Sequence, residues 1–177
     1  MSVRPIHLLG STVLRERATD VDHVDEGTRQ LVQDLFDTMR ADKGIGLAAN
    51  QIGELRRVAV VDTGNGGSVV LINPVIVARD GTHVGEEGCL SIPEIYADVK
   101  RAARVVVETL TPEGERQRLD VTELVARAIQ HEIDHLDGIL FIDRLSPLKR
   151  RLLLRKWERL RKGKVGHLKE VPAATEA

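Results

Sequence analysis

Residues Gln130 to Gly138 read QHEIDHLDG, and this HExxH run constrains the chain more than any other stretch. On a helix, His131 and His135 stand about 400° and about 6 Å apart, so both imidazoles share one face and can grip a single metal ion. Glu132, beside the first histidine, is placed to reach a metal-bound water and act as general base. Leu124 and Ala128 precede His131 on the same stripe, so the pair is predicted to point inward. Two chance histidines on a solvated face would not continue an apolar stripe.

A metal needs further ligands. The HExxHxxG pattern of metzincins places a third His at position 141, which is Phe141 here, so that arrangement is excluded. A downstream glutamate, as in other zinc peptidases, would have to be Glu158 or Glu170, inside or beyond a basic segment. The remaining candidate is the single cysteine, Cys89, in EEGCLSIP. A thiolate is a strong ligand for zinc or ferrous iron, and three protein ligands plus water suit a catalytic site. Cys89 also admits two other readings, a small buried hydrophobe or the nucleophile of a Cys/His hydrolase. The second leaves Glu132 and one histidine without a role.

The chain has 177 residues, which predicts one domain. Residues 25–41 have helical spacing (Leu31, Leu35, Met39), and Ser146-Pro147 is a good start for a last helix. Residues 57–62 and 69–78 read as strands, the second interrupted at Asn73-Pro74, with a turn at GNGG (64–67) between them. Residues 104–110 and 117–121 read as a hairpin around TPEG. Asp120 with Glu123 resembles a capping box opening the HExxH helix, which Gly138 closes. Strands cluster and helices do not alternate with them. The expected fold is therefore α+β: small mixed or antiparallel sheets around a central HExxH-bearing helix, with an N-terminal helix and a C-terminal basic helix. The expected organisation is a single domain over 1–164, including the basic helix at about 146–162, and a flexible tail over 165–177.

GIGLAANQIG (44–53) imitates a dinucleotide-binding fingerprint, with Asp62 following at the end of a strand. The context fails, because a helix precedes the glycines and no crossover helix fits after Gly53. The glycines are better explained by close approach of backbone to a ligand, and Gln51 offers an amide to a developing oxyanion.

Three stretches together, GIGLAANQIG (44–53), EGCLS (87–91) and QHEIDHLDG (130–138), resemble in order and spacing the signature motifs of bacterial peptide deformylases. The likeness continues through SIPEIYADVKRA (91–102) and LFIDRLSPLKR (140–150). The resemblance implies a metal-dependent hydrolase that removes the N-formyl group from the N-terminal methionine of newly made polypeptides and releases formate. It implies one divalent ion, Fe2+ with Zn2+, Ni2+ or Co2+ as substitutes, held by Cys89, His131 and His135 with water in the fourth position. It assigns Glu132 the proton transfers and gives the oxyanion to the Gln51 amide and the Leu90 backbone N–H. The peptide would lie as an added strand beside Ile45, Gly46 and Gly88. Glu87 and Arg101 match positions that form an internal ion pair. Gly85 stands where several relatives carry a bulky apolar residue, and Arg127 is a long charged residue near the pocket.

Lys plus Arg is 26 and Asp plus Glu is 27, so the net charge of −1 argues against a chain built mainly to coat nucleic acid. The average hides an asymmetry. Ser146 to Lys164 holds nine basic residues against Glu158, leaving seventeen basic and twenty-six acidic residues elsewhere. This segment is either a solvated amphipathic helix packed through Leu148, Leu152 and Trp157, or a surface drawn to ribosomal RNA, as the resemblance implies. No apolar stretch reaches membrane-spanning length, the N-terminus lacks a secretory signal, and one cysteine fits a reducing compartment, so the expected setting is cytoplasmic. The alternatives are a zinc endopeptidase of HExxH type and a ribosome-associated protein with a structural metal. The latter requires a fourth ligand that His7, His23, His83 and His167 are too scattered to supply.

Overall fold

The computed structural model describes residues 2–65 and 67–173, so the expected turn at 64–67 and the end of the expected tail fall partly outside the described residues. Helix α1 (Glu26–Ala41) starts where Asp25 accepts a hydrogen bond from the Thr28 backbone N–H at 2.8 Å. Its buried stripe is the expected one, Leu31, Val32, Leu35, Phe36 and Met39.

The main sheet has five antiparallel strands in the order β2 (Gly46–Ala48), β3 (Val58–Asp62), β4 (Ser68–Asp80), β7 (Arg104–Leu110), β8 (Arg116–Thr122). Strand β3 explains why its sequence is apolar at every step. Val58 and Val60 face α1, while Ala59 and Val61 face a second helix, α2 (Glu123–Leu136), on the other side. A strand covered on both faces needs no polar alternation. The interruption expected in β4 is a bulge between Ile72 and Val75, where Asn73 turns to φ +51° and its side chain bonds both the N–H and the carbonyl of Val21.

Helix α2 lies between this sheet and a second antiparallel pair, β5 (His83–Cys89) and β6 (Ile92–Arg101). Its start differs from expectation. Asp120 is not a cap but pairs with Arg104 across β7 and β8, and the strand runs on to Thr122, which occupies the N-cap position. At the other end, Gly138 takes φ +74°, and a Cβ there would lie 2.5 Å from the Arg15 carbonyl oxygen, so this turn admits only glycine.

Helix α3 (Pro147–Leu160) begins at Ser146, whose hydroxyl accepts from the Lys149 backbone N–H. Only Trp157 is buried; Leu148 and Leu152, expected to pack, are 64% and 52% exposed. The segment beyond α3 also departs from expectation. Strand β9 (Leu168–Lys169) pairs antiparallel with β1 (Ile6–His7), and Val171 is buried in the α1 core. Positions 174–177 of the expected tail lie outside the described residues. Among the described residues no helix is long and apolar enough to cross a membrane.

Candidate active site

Helix α2 buries its polar residues. Gln130, His131, Glu132, Asp134 and His135 are all less than a tenth exposed. The hairpin β5–β6 supplies their partners. Cys89, at the end of β5, brings its Sγ to 3.3 Å from His135 Nε2, and the Nε2 atoms of His131 and His135 are 3.2 Å apart. Among the described residues this is the one cluster of three potential ligands, and neither Glu158 nor Glu170 joins it.

The arrangement fits a cation. Tetrahedral bonds of about 2.05 Å to nitrogen and about 2.3 Å to sulfur separate two nitrogens by ~3.3 Å and nitrogen from sulfur by ~3.6 Å. The observed spacings are within 0.3 Å of these values. Two facing imidazole nitrogens beside a sulfur repel unless a proton or cation lies among them. Phe141, where a metzincin would place a ligand, instead stacks against the His131 ring with centroids 6.2 Å apart.

The second ring of contacts sets the orientation. His131 Nδ1 donates to Glu87 Oε1 at 2.9 Å, which leaves Nε2 turned to the centre. Arg101 grips both Glu87 oxygens at 2.9 Å, and Arg127 adds a contact at 2.6 Å. Arg101 also reaches Asp134, which Arg144 holds from outside. Burial opposes ionisation of Glu87, but Arg101 and His131 outweigh it and hold the carboxyl well below the usual range. The expected Glu87–Arg101 pair is thus present, within a larger network. Sequence reasoning missed Asp134 and Arg144, whose only signal was a charged residue on the inward face of the HExxH helix.

Glu132 is different. Its Oε2 is buried with no hydrogen-bond partner, and burial pushes its pKa up to about 7 despite the nearby His131 charge. Burial resists protonation of His131, yet contacts with Cys89 and Glu87 raise its pKa well above the usual value. Burial and the His131 charge push His135 well below its usual value.

Cys89, His131 and Glu132 open onto a cavity of about 480 Å³ whose lining includes Ile45, Gly46, Gln51, Gly88, Leu90 and Tyr96. Gln51 anchors its carbonyl on the Ala48 N–H and turns its amide toward Ser91 Oγ at 3.0 Å and Cys89 Sγ at 3.6 Å. Gly46 lies against Glu132, where a Cβ would clash with the carboxylate, and a Cβ on Gly88 would sit 2.6 Å from the Tyr96 ring. Strand β2 is an edge strand, paired with β3 on one side only. Of the nine residues given catalytic, substrate or metal roles from the sequence, eight line this cavity, and the ninth, His135, meets Cys89 and His131.

The family profile for polypeptide deformylase matches residues 3–151. The chain belongs to the polypeptide deformylase family. A peptide deformylase of Pseudoalteromonas translucida is 49% identical over 148 residues, covering 82% of this chain and 89% of that protein. Among solved structures, a peptide deformylase from Legionella pneumophila is 42% identical with a TM-score of 0.84, covering 93% of this chain and all of that one. One from Ehrlichia chaffeensis, in complex with actinonin, is 34% identical with a TM-score of 0.86 and similar coverage. Deformylases depend on a metal and remove the N-formyl group from nascent peptides. The enzyme is therefore a metal-dependent hydrolase of protein biosynthesis, and its α+β architecture is that of its relatives.

Proposed function

We propose that Cys89, His131 and His135 hold the metal and that Glu132 performs the proton transfers of deformylation. The observation that supports this is the convergence of one sulfur and two nitrogens beside a buried, unpartnered carboxylate. A divalent ion at this centre supplies Lewis acidity, lowering the pKa of water toward ~7 and polarising the formyl carbonyl. Glu132 takes a proton from the attacking water and later delivers it to the leaving amine. A pKa near neutrality suits both halves of that task. The Gln51 amide and the Leu90 backbone N–H donate to the oxyanion as it forms. The peptide adds as a strand to the open edge of β2, with Ile45, Gly46 and Gly88 beside it, and backbone hydrogen bonds make the enzyme tolerant of sequence beyond methionine. The ion is ferrous iron on the strength of the resemblance; one thiolate and two imidazoles also accept zinc, nickel or cobalt. The catalytic domain takes in α3 and also β9, which pairs with β1, and Val171, buried under α1; the setting is cytoplasmic.

Formate release from a formyl-methionyl tripeptide, with protein purified anaerobically and its metal counted, tests this reading. Release with about one metal per chain supports it, and the same sample identifies the ion. No release from metal-loaded protein overturns it.

A ribosome contact through α3 is part of the proposal. Lys149, Arg151, Arg155 and Lys156 are exposed beside Leu148 and Leu152. Such a surface favours phosphate through charge. Charge reversal at Arg151, Arg155 and Lys156 should abolish co-sedimentation with ribosomes while cleavage of the tripeptide persists. Unchanged co-sedimentation at physiological salt rejects it.

A further inference from the structure

The chain beyond α3 returns to the active-site cavity. Pairing of β9 with β1 and burial of Val171 under α1 carry Lys169 to the rim, where it lines the cavity with Asp42, Lys43 and Ile45. Its ammonium lies 2.7 and 2.6 Å from the two carboxylate oxygens of Asp42. The pair is largely shielded, with side chains 31% and 14% exposed. Asp42 is the C-cap of α1, and the chain turns there sharply: Lys43 takes φ +58° and the Gly44 N–H returns to the Met39 carbonyl. Two residues later the edge strand β2 begins. Lys169 thus clamps the first residue of the turn that delivers the open edge to the cavity. It lies eighteen residues past the end of the family match.

We infer that Lys169 is a positioning residue for substrate, acting through Asp42 to set the β2 edge on which the peptide lies. The inference rests on the proposed seating of the peptide along β2. An edge strand contacts substrate equally before and during the reaction, so loosening it weakens ground-state and transition-state binding alike. The signature is a raised KM at unchanged kcat. Lysine is suited to the task because one ammonium meets both oxygens of Asp42 and draws the turn toward the body of the protein.

The test uses metal-loaded full-length enzyme and a formyl-methionyl tripeptide. Lys169→Met should raise KM about three- to fivefold, the range of a partly shielded ion pair, with kcat within twofold and metal content unchanged. Lys169→Arg should restore KM. Asp42→Asn should reproduce the effect, and the double variant should be no worse than either single one, since both remove the same contact. If Lys169→Met folds poorly, Asp42→Asn carries the same expectation. An unchanged KM in these variants overturns the inference, as does a loss of kcat in proportion to thermal stability, which marks a merely structural contact. Failure of the wild-type enzyme to release formate instead strikes the functional reading beneath it.

Discussion

Glu132 is predicted to destabilise the fold that it serves. Its Oε2 is buried without a partner, and burial raises its pKa from 4.5 to about 7. Below about pH 4.5, folded and unfolded chains both hold the proton. Between about 4.5 and 7 the unfolded chain releases it while the folded chain retains it, so stability falls as pH rises. Above about 7 both are ionised and the full cost, ~3 kcal/mol, applies. Glu132→Gln removes the charge while keeping the shape. The metal-free variant should therefore be more stable than the metal-free wild type by up to ~3 kcal/mol at pH 8. The advantage should shrink to about 2 kcal/mol at pH 6 and about 1 kcal/mol at pH 5, and nearly vanish at pH 4. Urea unfolding read by fluorescence of Trp157, the single tryptophan, measures this directly, because that residue is buried against the β5–β6 layer. Adding metal should narrow the gap, since a nearby cation favours the carboxylate. Equal stability at pH 8, or an advantage independent of pH, would refute the argument. Activity should be lost in the variant at every pH.

The remaining predictions concern the surrounding network. Glu87→Gln weakens the anchor on His131 Nδ1 and should lower metal affinity ~10–100-fold, measured by competition with a chelator. Arg101→Met leaves Glu87 and Asp134 short of a buried partner; Arg127 and Arg144 remain beside them, so the loss should fall near the lower end of the usual ~3–5 kcal/mol in urea unfolding. Metal binding at this cluster would require a deprotonated thiol and neutral imidazoles, so apparent affinity should fall as pH drops from 8 to 6, with protons released on binding in weakly buffered solution.

The legible parts of the molecule were those written locally. The HExxH pair needs only helical spacing, and α1 needs only a cap and a stripe. Cys89 emerged by eliminating position 141 and the two downstream glutamates. The β5–β6 hairpin was not read as strands because its inward positions carry Glu87 and Arg101, which break the apolar alternation that marks a half-buried strand. The start of α2 was misplaced for a related reason. Asp120 looks like a cap in sequence, but Arg104 lies opposite it only once the two strands pair. Strand β9 is two residues long, and what holds it is the backbone of β1 and the burial of Val171, neither of which leaves a local pattern.

These misses share a cause with the function. The inward face of α2 is joined to β5–β6 by ions as well as by apolar packing: Cys89 meets His135, Glu87 meets His131, and Arg101 bridges Glu87 to Asp134. The same contacts seat the hairpin on the helix and orient the His131 nitrogen that faces the proposed metal centre. A wholly apolar version of this interface could be as stable or more so. It would leave the His131 Nδ1 without its acceptor, and the ring free to turn its other nitrogen to the centre. Stability and ligand geometry are thus coupled through Glu87, which explains why a buried carboxylate is kept there with two guanidinium groups and an imidazole around it.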